Sequence, residues 1–397
     1  MDPLFKAYGS LVFEKRDRAI RYVEERDIPA IAELFRSNYG EGYIAPDVYD
    51  GNWVKRSIHS DLIICLVLEE EGRVLATGSV VLNYGDYNDK GCEVARLAVH
   101  PDSARRGLGR RVIDALFKVA ENTAEFAIGE ARTAHTLSQE MLEAAGFPLI
   151  GFVPQFVYLK GRRESLVFYA NLYGNGRFLR SARPPEVIPE VAALAHFVLA
   201  GINLRDEIKV VDETVINDES SKCVVCPLHR DHVGHLLRIP QGRVIDPLLF
   251  GNVSLEQGYA FIRDKASYLV ALDSHQIPVG TIGYHVDETS RLIKGVELIA
   301  KSEDIWPALC RALVQAGDEL KYEVIAVDVS AYHPRLQRLL FSYGFRPVVY
   351  APAMVFHGTE RLDVIKMIKL NVPYDPGEMA LTEASTNMVS LVAVNFR

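Results

Sequence analysis

The stretch Glu93-Val-Ala-Arg96-Leu-Ala-Val99-His-Pro-Asp-Ser-Ala104-Arg-Arg-Gly107-Leu-Gly109-Arg-Arg-Val112-Ile-Asp-Ala-Leu116-Phe117 decides how the chain is read. A β-branched run ends at Val99, an arginine- and glycine-rich loop follows, and a helix is expected to start near Gly107. In that helix Val112, Leu116, Val119 and Ala120 recur at helical spacing, while Arg110, Arg111 and Lys118 lie elsewhere on its circumference. A strand, loop and helix of this kind aim unpaired amides and the positive end of a helix dipole at one point, which suits a pyrophosphate. Gly107 and Gly109 let the backbone come close to such a ligand.

Working outward, two segments align without a gap at an offset of 198 residues, one starting at Ala134 and the other at Tyr332. His135 and His333, Gly146 and Gly344, Phe147 and Phe345, Pro154 and Pro352, and Val157 and Val355 coincide, and so do Leu172 and Leu370. Each copy reads as a helix closed by a glycine, then a strand, with a further strand before the helix at 126–131 and 324–329. Such a pattern points to a duplicated fold. Upstream, Glu93 and Glu125 have the counterparts Glu297 and Glu323, and about six residues are missing from the second copy at the place of the Arg/Gly loop. Two acids, Glu303 and Asp304, stand near that helix start instead, where they suit a bare helix end and would repel a diphosphate. Only the first copy is expected to bind an anionic coenzyme.

In the rest of the first copy, 20–35 reads as a strand followed by an Asp27 cap, Pro29 in the first turn and a helix with its apolar face at Ile28, Ile31, Leu34 and Phe35. Residues 62–69 and 74–82 read as a hairpin, and 174–185 as a Gly/Pro-punctuated linker. The second copy opens with a helix near 186–200 and has its hairpin at 268–272 with 279–284.

The Ala104-Arg105-Arg106-Gly107-Leu108-Gly109 run resembles motif A of the GNAT acyltransferases, Gln/Arg-x-x-Gly-x-Gly/Ala, with alanine at the leading position. That replacement removes one side-chain donor and no backbone donor. The resemblance implies an α/β fold of two tandem GNAT-like domains, each a mixed, mostly antiparallel sheet flanked by helices. Residues 1–176 would be the domain with the coenzyme loop and 177–397 a degenerate partner shaping or closing the acceptor cleft. It further implies an N-acetyltransferase that moves an acetyl or other acyl group from acetyl-CoA to a primary amine of a small molecule or peptide, by direct attack in a ternary complex. Leu97, Ala98, Val99, Arg105, Arg106, Gly107, Leu108, Gly109 and Arg110 would hold the pantetheine and pyrophosphate.

Direct attack needs a neutral amine. An alkylammonium with a pKa near ~10.4 is ready in roughly one molecule in a few thousand at pH 7, a handicap of about 4–5 kcal/mol. Glu93, fourteen positions before Gly107, is the expected base; the alternative is a strand-end carboxylate facing solvent or paired with Arg96. Amides around Leu97, Ala98 and Val99 are the expected donors to the developing oxyanion. The family tyrosine that protonates the leaving thiolate is replaced by Leu142, so Tyr158, another nearby tyrosine or unaided departure takes its place. His135 occupies a family asparagine position that contacts the coenzyme arm, followed by Ser138 where a small residue is usual. The recurrence of His135 as His333, in a copy without the loop, points instead to helix capping or backbone satisfaction.

Cys223, Cys226, His229, His232 and His235 could hold zinc, though no glycine-rich knuckle follows Cys226, and the reading with no metal is preferred. Tyr39, Tyr43, Tyr49, Tyr84 and Tyr87 could line a cleft, or pack in loops. A net charge of −8 and the lack of a basic tail argue against nucleic acid and mildly favour a cationic substrate. No apolar run of membrane-spanning length and no signal core is seen, and the five cysteines, few and odd in number, suit a reducing cytoplasm. The protein would be a monomer or homodimer. Two rival functions fit the same residues: a non-catalytic acyl-CoA-binding regulator, and a tandem GNAT enzyme transferring a larger acyl or aminoacyl group. Users of aminoacyl-tRNA in that family generally lack motif A and carry basic surfaces, unlike this acidic chain.

Overall fold

A computed structural model describes residues 18–82, 89–159, 161–212, 223–251, 255 and 266–396. The first half contains β1 (Arg18–Tyr22), α1 (Ile28–Tyr39), α2 (Gly51–Ile58), β2 (Ile63–Glu70), β3 (Arg73–Val81), β4 (Gly91–Val99), α3 (Leu108–Thr123), β5 (Phe126–Arg132), α4 (Leu137–Ala144), β6 (Leu149–Leu159) and β7 (Arg162–Leu172). After β8 (Glu186–Val187), α5 (Pro189–Ile202) and β9 (Lys209–Val210) come β10 (Val224–Pro227), α6 (Val233–Leu236), β11 (Leu249–Phe250), β12 (Ser267–Leu272), β13 (Pro278–Asp287) and β14 (Leu292–Ala300). The chain closes with α7 (Trp306–Glu319), β15 (Val324–Ser330), α8 (Pro334–Ser342), β16 (Arg346–His357), β17 (Glu360–Leu370) and α9 (Glu383–Ala393).

The strands join in one mixed, mostly antiparallel sheet in the order β1-β2-β3-β4-β5-β7-β6-β16-β17-β15-β14-β13-β12-β10. Read inward from either edge, the two halves have the same succession of strands, meeting where β6 pairs β16 through Gly151 and Val349. These two residues are themselves related by the 198-residue offset, so the halves meet about a pseudo-two-fold axis. A Cβ on Gly151 would stand 2.4 Å from the Val348 carbonyl oxygen, so this approach requires glycine. Irregular pairing bends β6 between Val153 and Val157 and β16 between Ala351 and Val355. Gln155 and Ala353, one residue past the coincident prolines Pro154 and Pro352, both have positive φ (50° and 51°).

Each half also reaches into the other. Arg163 on β7 donates to Glu323 at 2.5 Å and to the Arg291 carbonyl at 2.9 Å. Its counterpart Arg361 on β17 contacts Asp89 at 2.7 Å and Glu125 at 3.1 Å with no solvent exposure of its own. Both guanidiniums also bond carbonyls of the neighbouring bulge, Gln155 and Phe156 in one case, Ala353 and Met354 in the other.

The segments after β7 and β17 are exchanged. Gln337 on α8 brackets the start of the α5 segment, donating to the Glu186 carbonyl and accepting from Ile188 N–H. Gln139 on α4 treats the start of the α9 segment likewise, donating to the Ala380 carbonyl and accepting from Thr382 N–H. The helix that follows the first half therefore lies on β16 of the second, and the carboxy-terminal helix lies on β6 of the first. Met388, Val392 and Ser385 of α9 and Val191, Ala195 and Val198 of α5 are buried to 1% exposure or less, so these helices complete the core of the sheets they cover. The stretch expected as a linker is also tied down: Arg180 clamps Asp363 at 2.7 Å, and Ser181 N–H bonds the Arg361 carbonyl.

Asp27 departs from its expected role. It precedes α1, yet its carboxylate caps no helical amide of α1; it accepts from Arg21 and from Glu24 N–H across a short 3-10 turn. Among the described residues no helix is long and apolar enough to cross a membrane.

Candidate active site

β4 and β5 run in parallel register from Gly91 with Phe126 to Val94 with Gly129 and then part. On its other edge β4 carries a bulge: Ala95 pairs Ser79 and Ala98 pairs Thr77, leaving Arg96 and Leu97 opposite Gly78, with Arg96 at φ 55°. The parting leaves the β5-facing edge of Leu97, Ala98 and Val99 without a strand partner, the opening expected for a pantetheine arm. Val99 delivers the chain to the loop, and Asn38 of α1 holds its carbonyl at 3.0 Å.

The loop has the geometry of an anion cradle. Arg105 and Gly107 adopt left-handed conformations, φ 61° and 73°, and Gly107 is the N-cap of α3 with no side-chain cap. Among the described residues no acceptor takes the amides of residues 105–110, so they converge unpaired at the helix start. Gly107 is needed for its backbone conformation, since open space lies where its Cβ would be. Gly109 answers to packing as well: a Cβ there would meet Val99 Cγ2 at 3.2 Å. The arginine side chains are partly engaged elsewhere, Arg106 with both oxygens of Glu70 and Arg110 with Asp114. Leu108 is a core residue and can offer only its amide.

Across the opening, His135 Nδ1 and Ser138 Oγ are buried with no hydrogen-bond partner. The capping role inferred for His135 is not what the structure gives: α4 is capped by Thr136, and neither that cap nor His333 before α8 makes a side-chain cap bond. Burial pushes the His135 pKa down, keeping the ring neutral. Leu142 packs under Gly129 in the core. Tyr158 stands apart from the loop, its ring beneath the guanidiniums of Arg163 (6.0 Å) and Arg291 (5.6 Å). It lines a 410 Å³ pocket with Thr133, Gln155, Glu164, Glu323 and Asp375, to which both halves contribute.

Glu93 lies on the last paired stretch of β4, beside Ile128 of β5. Its carboxyl is raised by burial, opposed by the nearby Arg96 charge. Glu130, two residues past Ile128 and on the same face, was missed from sequence. Burial and the proximity of Glu93 push it up to about 8, against the pull of Lys366 and Lys294. Two neighbouring, half-buried carboxyls cannot both ionise cheaply, so each favours a proton on the other. From the second half, Asp328 bonds Lys366 at 2.5 Å and Lys294 at 2.8 Å. Burial alone would raise it, yet the two lysines hold it down to about 2. Asp328 is the counterpart of Glu130 at the 198-residue offset. The sequence signal for this pair was acid repeated at that offset, on mostly apolar strands.

Aromatic residues close the other side. Phe35, Tyr39 and Tyr43 pack together, with Tyr39 and Tyr43 centroids 4.9 Å apart, and Trp53 lies under Arg96. Tyr43 senses both Glu93 and Arg96, and burial pushes its hydroxyl up. Tyr49 instead anchors the turn after α1 by donating to the Gly40 carbonyl. Tyr84 and Tyr87 lie outside the described residues. Among those described, no three Cys, His, Asp or Glu side chains are placed to hold a metal ion, and His229 serves as a local cap, accepting from Asp231 N–H.

In the second half the corresponding opening is filled. β14 and β15 pair from Leu292 with Val324 to Gly295 with Val327 and part likewise. Lys294 beside Ala326, rather than the expected Glu297, therefore stands at the place of Glu93 beside Ile128, and β11 pairs β15 through Leu249 with Val329 and Phe250 with Asp328. Gly251 lies so close to β14 that a Cβ would meet Val296 at 2.5 Å.

Residues 28–147, which span α1, the β4 strand, the loop and α4, match the profile of the acetyltransferase (GNAT) family. The chain carries a GNAT-family acetyltransferase domain. Solved structures similar to it include yncA of Salmonella typhimurium, described with its cofactor acetyl-CoA (21% identity, 40% of this chain and 95% of that one, TM-score 0.35). Others are the ribosomal-protein-S5-alanine acetyltransferase of Vibrio fischeri (16%, 42% and 98%, TM-score 0.36) and the ribosomal-protein-alanine N-acetyltransferase of Brucella melitensis (21%, 38% and 98%, TM-score 0.34). No curated protein matches the sequence. The co-substrate of a GNAT domain is acetyl-CoA, and the unpaired amides of 105–110 with the orphaned His135 and Ser138 groups fit a pyrophosphate and a polar arm.

Proposed function

We propose that the protein is an N-acetyltransferase passing an acetyl group from acetyl-CoA to a primary amine by direct attack in a ternary complex. Chemistry would be confined to the first half, residues 1–176, while 177–397 form a degenerate GNAT-like partner that walls the acceptor cleft. The observation that carries the reading is the half-buried Glu93 and Glu130 pair at the point where β4 and β5 part, beside the unpaired amides of 105–110.

Bound acetyl-CoA supplies an activated thioester carbonyl. The amides of 105–110 and of Leu97, Ala98 and Val99 orient it, with His135 Nδ1 and Ser138 Oγ completing the arm's polar contacts. Glu93 takes the proton from the acceptor ammonium, and burial, which raises its pKa, makes it a better base than an ordinary carboxylate. Glu130 shares that proton, and the Lys294–Asp328–Lys366 group sets the field around both. Arg163 and Arg291 hold Tyr158 at the mouth of the 410 Å³ pocket, which makes it the candidate for returning a proton to the thiolate.

The test is thiol release over a panel of amines, amino acids, polyamines and peptides. Glu93→Gln should lower kcat about 10²-fold or more with CoA affinity unchanged. An unchanged rate removes Glu93 as the base, and CoA binding without turnover on any amine favours a regulator.

A further inference from the structure

Arg96 differs from several shielded cations among the described residues that are held by carboxylates. Arg132 is bound by Glu164, Arg163 by Glu323, Arg180 by Asp363, Arg361 by Asp89 and Glu125, and Lys366 by Asp328. Arg96 Nε and Nη1 are buried and donate to no described residue, and the guanidinium lies over the Trp53 ring, 5.2 Å from its centroid. A shielded guanidinium without an anion is costly, because it gives up water for nothing of equal strength. The residue also stands at the β4 bulge with φ 55°, a conformation uncommon for a residue with a side chain. That bulge turns the side chain toward the aromatic wall of Trp53 and Tyr43, in the electrostatic range of Glu93. Unspent donors and an unusual backbone on one residue of a cleft mark a ligand contact rather than a fold contact.

We propose that Arg96 binds a carboxylate of the acceptor, so that the amine taken by this site belongs to an amino acid. The inference rests on the acyl-transfer reading above and narrows its acceptor. Nη2 of this planar guanidinium, paired with the free Nε or the free Nη1, can meet a planar carboxylate in a fork, as Nε and Nη2 of Arg132 meet Glu164. Glu93, three positions back on β4, carries the opposite charge for the ammonium, and the two side chains form no ion pair with each other within 4.0 Å. A zwitterion whose amine and acid lie a few bonds apart satisfies both at once. It also answers the two charges that the cleft leaves open, one raised carboxyl and one unpaired guanidinium.

The experiment is calorimetric titration of the full-length protein, loaded with CoA, using N-acetylglycine, N-acetyl-L-alanine and N-acetyl-L-phenylalanine and their amides as probes. In the unsubstituted protein at least one acid should bind about 30-fold or more tighter than its amide, and in Arg96→Gln that preference should fall to about 3-fold or less with CoA affinity unchanged. Arg96→Lys should restore part of it. Equal binding of acid and amide, binding of neither, or a preference that survives Arg96→Gln overturns the proposal. If Arg96→Gln fails to fold, the acid-to-amide ratio of the unsubstituted protein decides alone. Thiol release reads acyl transfer separately, so an enzyme that acetylates amines regardless of a carboxylate keeps the function and loses this assignment.

Discussion

Gly151 and Val349 are equivalent residues of the two halves and pair with each other, so the single register contact between β6 and β16 sits on the pseudo-two-fold axis. The same axis relates Arg163 with Glu323 to Arg361 with Glu125, and Gln139 to Gln337. One half thus cannot shift without disturbing both sets of contacts.

At the axis, a side chain on Gly151 has nowhere to go, with Val348 O at 2.4 Å and Val349 Cα at 2.6 Å. Gly151→Val should destabilise the protein by about 1–3 kcal/mol or more, because backbone rather than a flexible side chain must yield. Urea unfolding with fluorescence detection checks this, and an unchanged midpoint would contradict the close junction.

Arg361 is fully buried between Asp89 and Glu125. Arg361→Met should cost about 3–5 kcal/mol, since it strands two carboxylates in the interior. Burial already raises Asp89 against the pull of Arg361, so without the arginine it should take up a proton. The loss should therefore be smaller at pH 5 than at pH 8, as thermal melts at the two pH values would report.

Glu130 has a folded-state pKa of about 8, above its ordinary value of 4.5. Its contribution to stability is therefore full below about pH 4.5 and lost as pH rises through about 8. Glu130→Gln should raise the melting temperature at pH 8.5 and leave it nearly unchanged at pH 4.5. Asp328 behaves oppositely: held down to about 2, it stabilises above its ordinary pKa of 3.8 and loses that effect as pH falls toward 2. A melting temperature of Glu130→Gln that tracks the parent across the range would remove the raised carboxyl.

Coenzyme stoichiometry follows from β11. With Leu249 and Phe250 already paired to β15 in the second opening, calorimetry should give one CoA per chain. Gly107→Val, which forces a β-branched residue to φ 73°, should weaken CoA binding by about tenfold or more through a strain of about 1–2 kcal/mol. Two sites per chain, or full affinity in Gly107→Val, would contradict the assignment.

How much of this was legible in the sequence depends on the range of the interaction concerned. The β4-loop-α3 unit, the helices closed by Gly146 and Gly344 and the repeat offset are local patterns, and a single stretch of chain carries each of them. The Pro154 and Pro352 coincidence was visible, but its meaning, paired bulges that bend β6 and β16, needed the sheet. Glu130 was passed over and Arg96 was read only as a possible ion-pair partner of Glu93, because their surroundings are created by α2 and the second half. The placement of α9 was invisible for a related reason: a helix written after the second half gives no local sign that its apolar face fits the first, whereas α5 had been read as opening the second copy, whose β16 it covers.

That placement sets a rule for dissecting the molecule. A cut in 174–185 would leave α5 in one piece with β16, the strand it covers, but would part β6 from α9 and so strip the amino-terminal fragment of its roof. The dependence is one-sided: the amino-terminal piece would need the other to supply α9, and a fragment-complementation pair that reassembles on mixing would be the natural form in which to study it.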